Sequence, residues 1–147
     1  MIAISFLKAE DSAQAFAIEC RSHAFPCWNE QMFASNQGKR FLNYRLDVNG
    51  VMAALAITQV VLDEATLFNI AVDPSYQRCG YGRQLLNNLI RELEKREIII
   101  LWLEVRALNY PAIALYEQLH FHQISRRLNY YPTATGYEDA IIMALTL

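Results

Sequence analysis

The chain has 147 residues, of which 54 % are hydrophobic and 19 % are charged. This length and composition are typical of one globular domain with a substantial core, expected over residues 1–147, and they exclude a disordered or collagen-like chain. The formal net charge of −2 provides no overall basic field, so we expect no direct binding of nucleic acid.

The first half of the chain predicts four strands and two helices. Asp11 or Ser12 is a suitable N-cap for the first helix, which is expected to run to about His23. The Asn49-Gly50 pair is a strong signal for a tight turn between two strands. The predicted strands are Ile2–Leu7, Phe41–Asp47, Val51–Val61 and Ala65–Val72, and the second helix is Asn29–Ala34.

The second half contains the clearest helix, Tyr81–Lys95. Its apolar face consists of Leu85, Leu86, Leu89, Ile90 and Leu93. A further helix is expected from an Asn109 cap to about Leu119, with Pro111 in its first turn. The strands predicted in this half are Ile98–Val105, Phe121–Asn129 and Asp139–Leu145, with a polar, aromatic loop between the last two.

The order of the predicted elements is β-α-α-β-β-β-α-β-α-β-β. It consists of antiparallel hairpins, a helical crossover and a final hairpin. This order indicates an α/β protein with a mixed sheet, and it differs from a regular doubly wound fold.

The sequence favours a cytoplasmic location without a membrane span. The longest apolar run, Val51 to Ile57, is far shorter than the ~20 residues that a span needs. No secretory signal is visible in Met1 to Lys8. The three cysteines, Cys20, Cys27 and Cys79, form no C-x-x-C pair, which fits a reducing compartment.

The histidines are candidate metal ligands. His120 and His122 would share one face of a strand, but no third ligand lies near them in sequence. Surface or capping histidines are the more common interpretation, so we expect no metal.

The first candidate site is Gln77–Arg83, which opens the clearest helix. Free N–H groups at a helix start, with two glycines that permit close approach, suit an anion such as a pyrophosphate. Arg78 and Arg83 oppose the helix dipole unless a bound anion compensates them. The alternative is a glycine turn with solvated arginines. Leu85 stands where a dinucleotide fingerprint needs its third glycine, and a Walker A lysine is absent.

Two other side chains are candidates for proton transfer. Glu104 ends a strand face that is otherwise apolar, which suits a general base, although a strand-end glutamate that reaches water is equally consistent. Tyr116 lies on the inward face of its helix. A phenol with a pKa of about 10 can protonate a thiolate whose acid has a pKa of about 8.5. A core tyrosine is the alternative that position alone favours.

Together these residues resemble the GNAT N-acetyltransferases. Gln77–Gly82 is similar to the Q/R-x-x-G-x-G/A signature of that family, and Asn109–Tyr116 is similar to its N-x-x-A-x-x-L-Y pattern. Five further segments resemble the RimI type, the bacterial ribosomal-protein-alanine N-acetyltransferases. These segments are His23–Pro26, Asn69–Pro74, Leu101–Arg106, Asn129–Pro132 and Glu138–Ala140.

The resemblance implies a GNAT (acyl-CoA N-acyltransferase) fold, a mostly antiparallel mixed sheet flanked by helices. It also implies direct transfer from acetyl-CoA to the N-terminal alanine α-amine of a small-subunit ribosomal protein. Glu104 would be the general base and Tyr116 the general acid. The residues implied to bind acetyl-CoA are Ile70, Ala71, Val72, Arg78, Cys79, Gly80, Tyr81, Gly82, Arg83 and Asn109.

The sequence departs from the family pattern at three positions. Cys27 looks like a one-residue insertion beside the expected substrate groove. Glu97 and His120 stand after the two main helices, where the family commonly has glycine. A non-glycine residue in the left-handed conformation at a helix end costs about 1 kcal/mol.

The identity of the acceptor leaves alternatives open. Glu138 and Asp139 are candidate contacts for a basic substrate, although a solvated strand start is an equal alternative. A second possible function is a GNAT enzyme that acts on a small amine, a polyamine or a lysine side chain. A third is an acyl-CoA-binding regulator without turnover, which would not need Glu104 and Tyr116.

Overall fold

A computed structural model describes residues 1–23 and 28–147 of the chain. The strands are β1 (Ile2–Phe6), β2 (Tyr44–Val48), β3 (Val51–Val61), β4 (Glu64–Val72), β5 (Ile100–Arg106), β6 (His122–Thr133) and β7 (Gly136–Thr146). The α-helices are α1 (Ser12–Ser22), α2 (Glu30–Ser35), α3 (Tyr81–Lys95) and α4 (Tyr110–Gln118), and the 3-10 turns are Ala9–Asp11 and Pro74–Tyr76.

These strands form a seven-stranded sheet in the order β1-β2-β3-β4-β5-β7-β6. Within the described part of the chain, β4 and β5 pair in parallel, joined by the α3 crossover, and the other pairings are antiparallel. The predicted α/β class, mixed sheet and order of elements are therefore confirmed. The final hairpin inserts β7 between β5 and β6, which no sequence pattern indicated.

Helices cover both faces of this sheet. Four of the five residues in the predicted apolar stripe of α3 have no exposed surface, namely Leu85, Leu86, Leu89 and Leu93, and the fifth, Ile90, is partly buried. They pack with α4 against one face, while α1 and α2 pack against residues that include Leu55 of β3. Because neighbouring residues of a strand point to opposite faces, the two clusters lie on opposite sides of the sheet.

Two predicted strand starts were wrong by two or three residues. The strand expected from Phe41 begins at Tyr44, and Phe41 forms an isolated bridge with Gln59. The strand expected from Ile98 begins at Ile100. The N–H of Ile98 donates to the carbonyl of Leu93 at the end of α3, so Ile98 completes the helix end.

The loop predicted between the closing strands was also wrong. The β6–β7 pairing continues through Tyr131 opposite Glu138 to Thr133 opposite Gly136, so only a two-residue turn separates the strands. The polar and aromatic residues of this segment form the outer end of the hairpin. Pairing with β7 overrides their turn-like composition, as tertiary contacts commonly do for strands.

The left-handed conformation expected after the main helices is confirmed at both positions. Glu97 follows α3 with φ of 61°, and His120 follows α4 with φ of 75°. Each N–H donates to a carbonyl of the preceding helix, Glu94 and Glu117 respectively. These hydrogen bonds hold a non-glycine residue where the Cβ atom is strained.

We predict that E97G and H120G each raise the free energy of unfolding by about 0.5 kcal/mol. Glycine relieves the left-handed strain of the folded state, which is about 1 kcal/mol or more. This gain is larger than the cost of the extra chain entropy that glycine brings to the unfolded state. Urea denaturation measures the change. K95G is the matched control, because Lys95 is the last residue of α3 and has a helical conformation, so glycine there should lower the free energy of unfolding by up to about 1 kcal/mol. A loss of stability in E97G similar to that in K95G would contradict the prediction.

Candidate active site

A cleft opens where β4 and β5 separate. Their parallel pairing ends at Leu67 and Leu103. Directly after that point Phe68 is an extra residue in β4, since Leu67 and Asn69 pair with consecutive residues of β3. A bulge of this kind bends its strand and interrupts pairing. Beyond it β4 continues to Val72 paired with β3, and its other edge faces the cleft.

A cavity of about 430 Å³ occupies this cleft. It is lined by residues from β4, β5, α1, α4 and β6. Four residues singled out in the sequence line it together: Ile70, Glu104, Asn109 and Tyr116. The folded chain thus brings the carboxylate, the phenol and the free edge of β4 to one place, although β5 and α4 follow β4 only after the α3 crossover.

Glu104 lies near the end of β5 with its side chain 29 % exposed. Its Oε1 atom is 3.4 Å from the Nη2 atom of Arg127 on β6. Within the described residues no hydrogen bond or ion pair engages its Oε2 atom. One carboxylate oxygen is therefore held by a cation, and the other is left for a ligand in the cavity.

Tyr116 is 5 % exposed, and its ring centroid lies 5.7 Å from that of Phe121. Burial raises the pKa of Tyr116 to about 12. Among residues 1–23 and 28–147 its hydroxyl has no hydrogen-bond partner. At neutral pH the side chain is consequently a protonated phenol beside the cavity, able to donate.

The raised pKa of Tyr116 makes the free energy of unfolding depend on pH in the alkaline range. Its value of about 12 exceeds the value of about 10 expected in the unfolded chain. The unfolded state therefore ionises first, so the stabilising contribution is complete below pH ~10 and is lost as pH rises towards ~12. Over that interval we predict that the unfolding free energy of the wild type falls by about 2–3 kcal/mol more than that of Y116F.

Urea denaturation at several alkaline pH values measures this difference. Y110F is the matched control on the same helix, because Tyr110 is 67 % exposed. Its stability curve should fall in parallel with that of the wild type. Parallel curves for the wild type and Y116F would show that Tyr116 is not buried as described.

The start of α3 has the features of an anion site. Gly80 is its N-cap with φ of 82°, a left-handed conformation that favours glycine. The first helical hydrogen bond runs from the Gln84 N–H to the Gly80 carbonyl. The preceding N–H groups, those of Tyr81, Gly82 and Arg83, belong to the first turn, where helices leave donors free. No acidic side chain lies in that turn.

This helix start adjoins the cleft, although it does not line the cavity itself. A Cβ atom added at Gly82 would lie 3.7 Å from Val72 Cγ2 and 3.9 Å from Leu115 Cδ2. Gly82 therefore lies between the end of β4 and α4. The guanidinium of Arg83 donates to the side chain of Gln118 on α4, and Cys79 is exposed beside this helix start.

The end of β4 is fixed from α1. The Val72 carbonyl accepts hydrogen bonds from Ser22 Oγ and from Gln77 Nε2, each of 3.0 Å. Asp73 is paired with Arg21 at 2.5 Å. Burial opposes ionisation of Asp73, but hydrogen bonds from the Ser75 N–H and from Arg21 outweigh it and lower the pKa of that carboxyl.

Glu19 is a cavity residue that the sequence analysis missed. It is 2 % exposed, and its Oε1 accepts from Asn69 Nδ2 at 3.0 Å and lies 3.4 Å from His23 Nε2. It links α1 to the bulge in β4. The sequence contains a pattern that could have identified Glu19, because this residue shares the buried face of α1 with Ala15 and Ile18 at helical spacing.

The two acidic residues proposed as substrate contacts have partners within the hairpin. Glu138 Oε1 accepts from Arg106 at 3.1 Å. Asp139 accepts from the Asn129 N–H at 2.9 Å and from Arg126 at 2.6 Å, and these two bonds lower the pKa of its carboxyl. A basic substrate at either residue would contact a carboxylate that already holds an arginine.

Other sequence predictions fall outside this site. Cys27, the expected insertion, lies outside the described residues. Among the residues that are described, no three His, Cys, Asp or Glu side chains come together in a metal-binding arrangement. In the same part of the chain, no helix has the length and apolar character needed to cross a membrane.

Comparison with known proteins reveals similarity over the full chain. The sequence model of the acetyltransferase (GNAT) family matches residues 8–121. A ribosomal protein bS18-alanine N-acetyltransferase of Escherichia coli is 65 % identical over 147 residues, covering 100 % of this chain and 99 % of that protein. One of Haemophilus influenzae is 45 % identical over 148 residues, covering 100 % of both chains.

A solved structure shows the same similarity in three dimensions. The crystal structure of the ribosomal-protein-S18-alanine N-acetyltransferase from Escherichia coli matches with a TM-score of 0.96 at 65 % identity. The match covers 99 % of this chain and 94 % of that one.

Proposed function

This chain belongs to the acetyltransferase (GNAT) family, and on that premise we propose that it transfers the acetyl group of acetyl-CoA to the N-terminal alanine α-amine of ribosomal protein bS18. The α/β architecture is accordingly the GNAT fold expected from the motifs. One observation carries the proposal: a carboxylate and a protonated phenol, Glu104 and Tyr116, line a single cavity where β4 and β5 diverge.

The residues around the cleft fit acetyl-CoA. The first-turn N–H groups of α3, with Arg78 and Arg83, suit its pyrophosphate. The free edge of β4, with the backbone groups of Ile70 and Val72, suits the amide groups of its pantetheine arm, which would pair with it as an added strand. Ala71 lies between these two residues, and its backbone groups face β3. At Val72 the N–H rather than the occupied carbonyl would take part.

Two residues have narrower roles in this proposal. The side-chain oxygen of Asn109 accepts from the Ala112 N–H at 3.3 Å as the cap of α4, so its amide NH₂ is the group left for the cofactor. Cys79 contributes backbone only. Its exposed thiol is not needed, because direct attack requires no covalent intermediate on the enzyme.

In the proposed reaction the α-amine of alanine attacks the thioester carbonyl of acetyl-CoA. An α-amine has a pKa of about 7.7–8.0, against about 10.4 for lysine, so a single carboxylate can deprotonate it near neutral pH. Glu104 would receive this proton through its free Oε2, directly or through a water. A backbone N–H of Ile70 to Val72 would stabilise the tetrahedral oxyanion.

Collapse of the intermediate expels the thiolate of CoA, which needs a proton. Tyr116 would supply it from its hydroxyl. With its pKa raised to about 12, the phenol remains protonated across the whole neutral range, so the donor is always in the correct state. A cytoplasmic location fits a substrate that is a ribosomal protein.

The proposed substrate is tested by mass spectrometry with acetyl-CoA and three acceptors. These are a basic peptide with an N-terminal alanine, the same peptide with a blocked N-terminus and free lysines, and spermidine. We predict that one acetyl group is added to the first peptide and none to the others, because near neutral pH the α-amine has a much larger deprotonated fraction than a lysine side chain.

The other outcomes distinguish the competing functions. Acetylation of only the blocked peptide or of spermidine would replace the proposal with a lysine or polyamine acetyltransferase. Binding of acetyl-CoA in calorimetry with no product from any acceptor would indicate a regulator without turnover.

The assigned roles predict separate kinetic defects. E104Q should lower kcat/KM by about 100-fold, most strongly at pH values where the α-amine is still protonated, because proton removal is then required. Y116F should lower kcat by about 10-fold or more and leave the affinity for acetyl-CoA nearly unchanged. Initial rates across a pH series measure both effects.

The control variants are E94Q and Y110F, which change exposed residues of α3 and α4. Both should retain the wild-type rate. An unchanged rate in E104Q or in Y116F would refute the role assigned to that residue.

A further inference from the structure

The ion pair between Glu104 and Arg127 joins two strands that are not neighbours. β7 lies between β5 and β6 in the sheet. Glu104 is opposite Ile142 of β7, and Arg127 is opposite Ala140 of the same strand. Because Ala140 and Ile142 point to the same face, so do Glu104 and Arg127. The long arginine side chain thus crosses a strand to reach the carboxylate.

The sequence of β7 permits this crossing. Ala140, the residue opposite Arg127, is fully buried and ends at its Cβ atom. A longer side chain at this position would occupy part of the face that the Arg127 side chain crosses. The Cζ atom of Arg127 lies 5.3 Å from the centroid of the Tyr130 ring, a cation–π distance that further holds the guanidinium.

The neighbouring arginine on this face makes a separate set of contacts. Arg106, also opposite Ala140, pairs with Glu138 and lies 4.4 Å from the Tyr131 ring centroid. The two guanidinium groups therefore do not share a carboxylate in these ion pairs. Arg127 is the cation that contacts Glu104, at 3.4 Å through Oε1 alone.

We propose that Arg127 is a positioning residue for the proposed base: it holds Oε1 of Glu104 from the β6 side so that Oε2 points into the cleft to receive the proton of the amine. This inference rests on the proposed function. With side-chain exposures of 53 % and 29 %, the pair adds little to stability, so its effect is on the orientation of the carboxylate.

Such a role predicts an effect on rate that depends on Glu104. R127M should lower kcat for the alanine peptide by about 10-fold and leave KM for acetyl-CoA unchanged. R127K keeps a cation and should recover at least part of the loss. In an E104Q background R127M should have no further effect, because the group that it positions is already lost.

R126M is the matched control. Arg126 is the adjacent residue, is 51 % exposed against 53 % for Arg127, and pairs with Asp139 on the opposite face of the hairpin. This variant removes one positive charge from the adjacent position of β6, but it leaves the ion pair of Glu104 intact. R126M should therefore retain the wild-type kcat.

The experiment is a double-mutant cycle on kcat, with the alanine peptide and acetyl-CoA, followed by mass spectrometry. Non-additive losses in R127M and E104Q with an unaffected R126M would support the inference. Equal fold-losses from R127M in both backgrounds, the same loss in R126M, or no loss in R127M would each overturn it. A wild type inactive on the peptide would overturn the proposed function itself, whereas these three outcomes leave that function standing.

Discussion

The separation of β4 and β5 is the constraint on which the rest of the site depends. The two strands pair in parallel as far as Leu67 and Leu103, and the bulge at Phe68 then turns β4 away. A sheet normally satisfies the backbone groups of an inner strand with its neighbour. Here the gap leaves one edge of β4 free, places β5 across a cavity from it, and brings α4 and the start of α3 to its margin.

Contacts from α1 maintain this opening. Glu19 accepts from Asn69 directly after the bulge, while Ser22 and Arg21 hold Val72 and Asp73 at the end of the strand. A free strand edge without such anchors would be expected to move or to pair with another segment. Helix α1 thus supports the β4 side of the cleft.

Arginine–carboxylate pairs dominate the opposite side of the cleft. The β5–β7–β6 part of the sheet carries Arg127 with Glu104 and Arg106 with Glu138, each arginine stacked on a tyrosine. Pairs that are partly exposed contribute little to stability, typically less than about 1 kcal/mol. Their importance lies in holding carboxylates in fixed directions on a surface where a cationic amine is proposed to bind.

The sequence by itself determined the type and order of the elements and the helix start at Gly80, and it singled out Glu104 and Tyr116 as candidates, because periodicity, capping and glycine spacing are local properties of the chain. The tertiary structure alone decided that β7 inserts beside β5, and hence that Arg127 reaches Glu104. Strand order depends on the packing of residues far apart in sequence, and no local pattern encodes it. The pKa of Tyr116 has the same origin, because only the assembled core removes its ring from water.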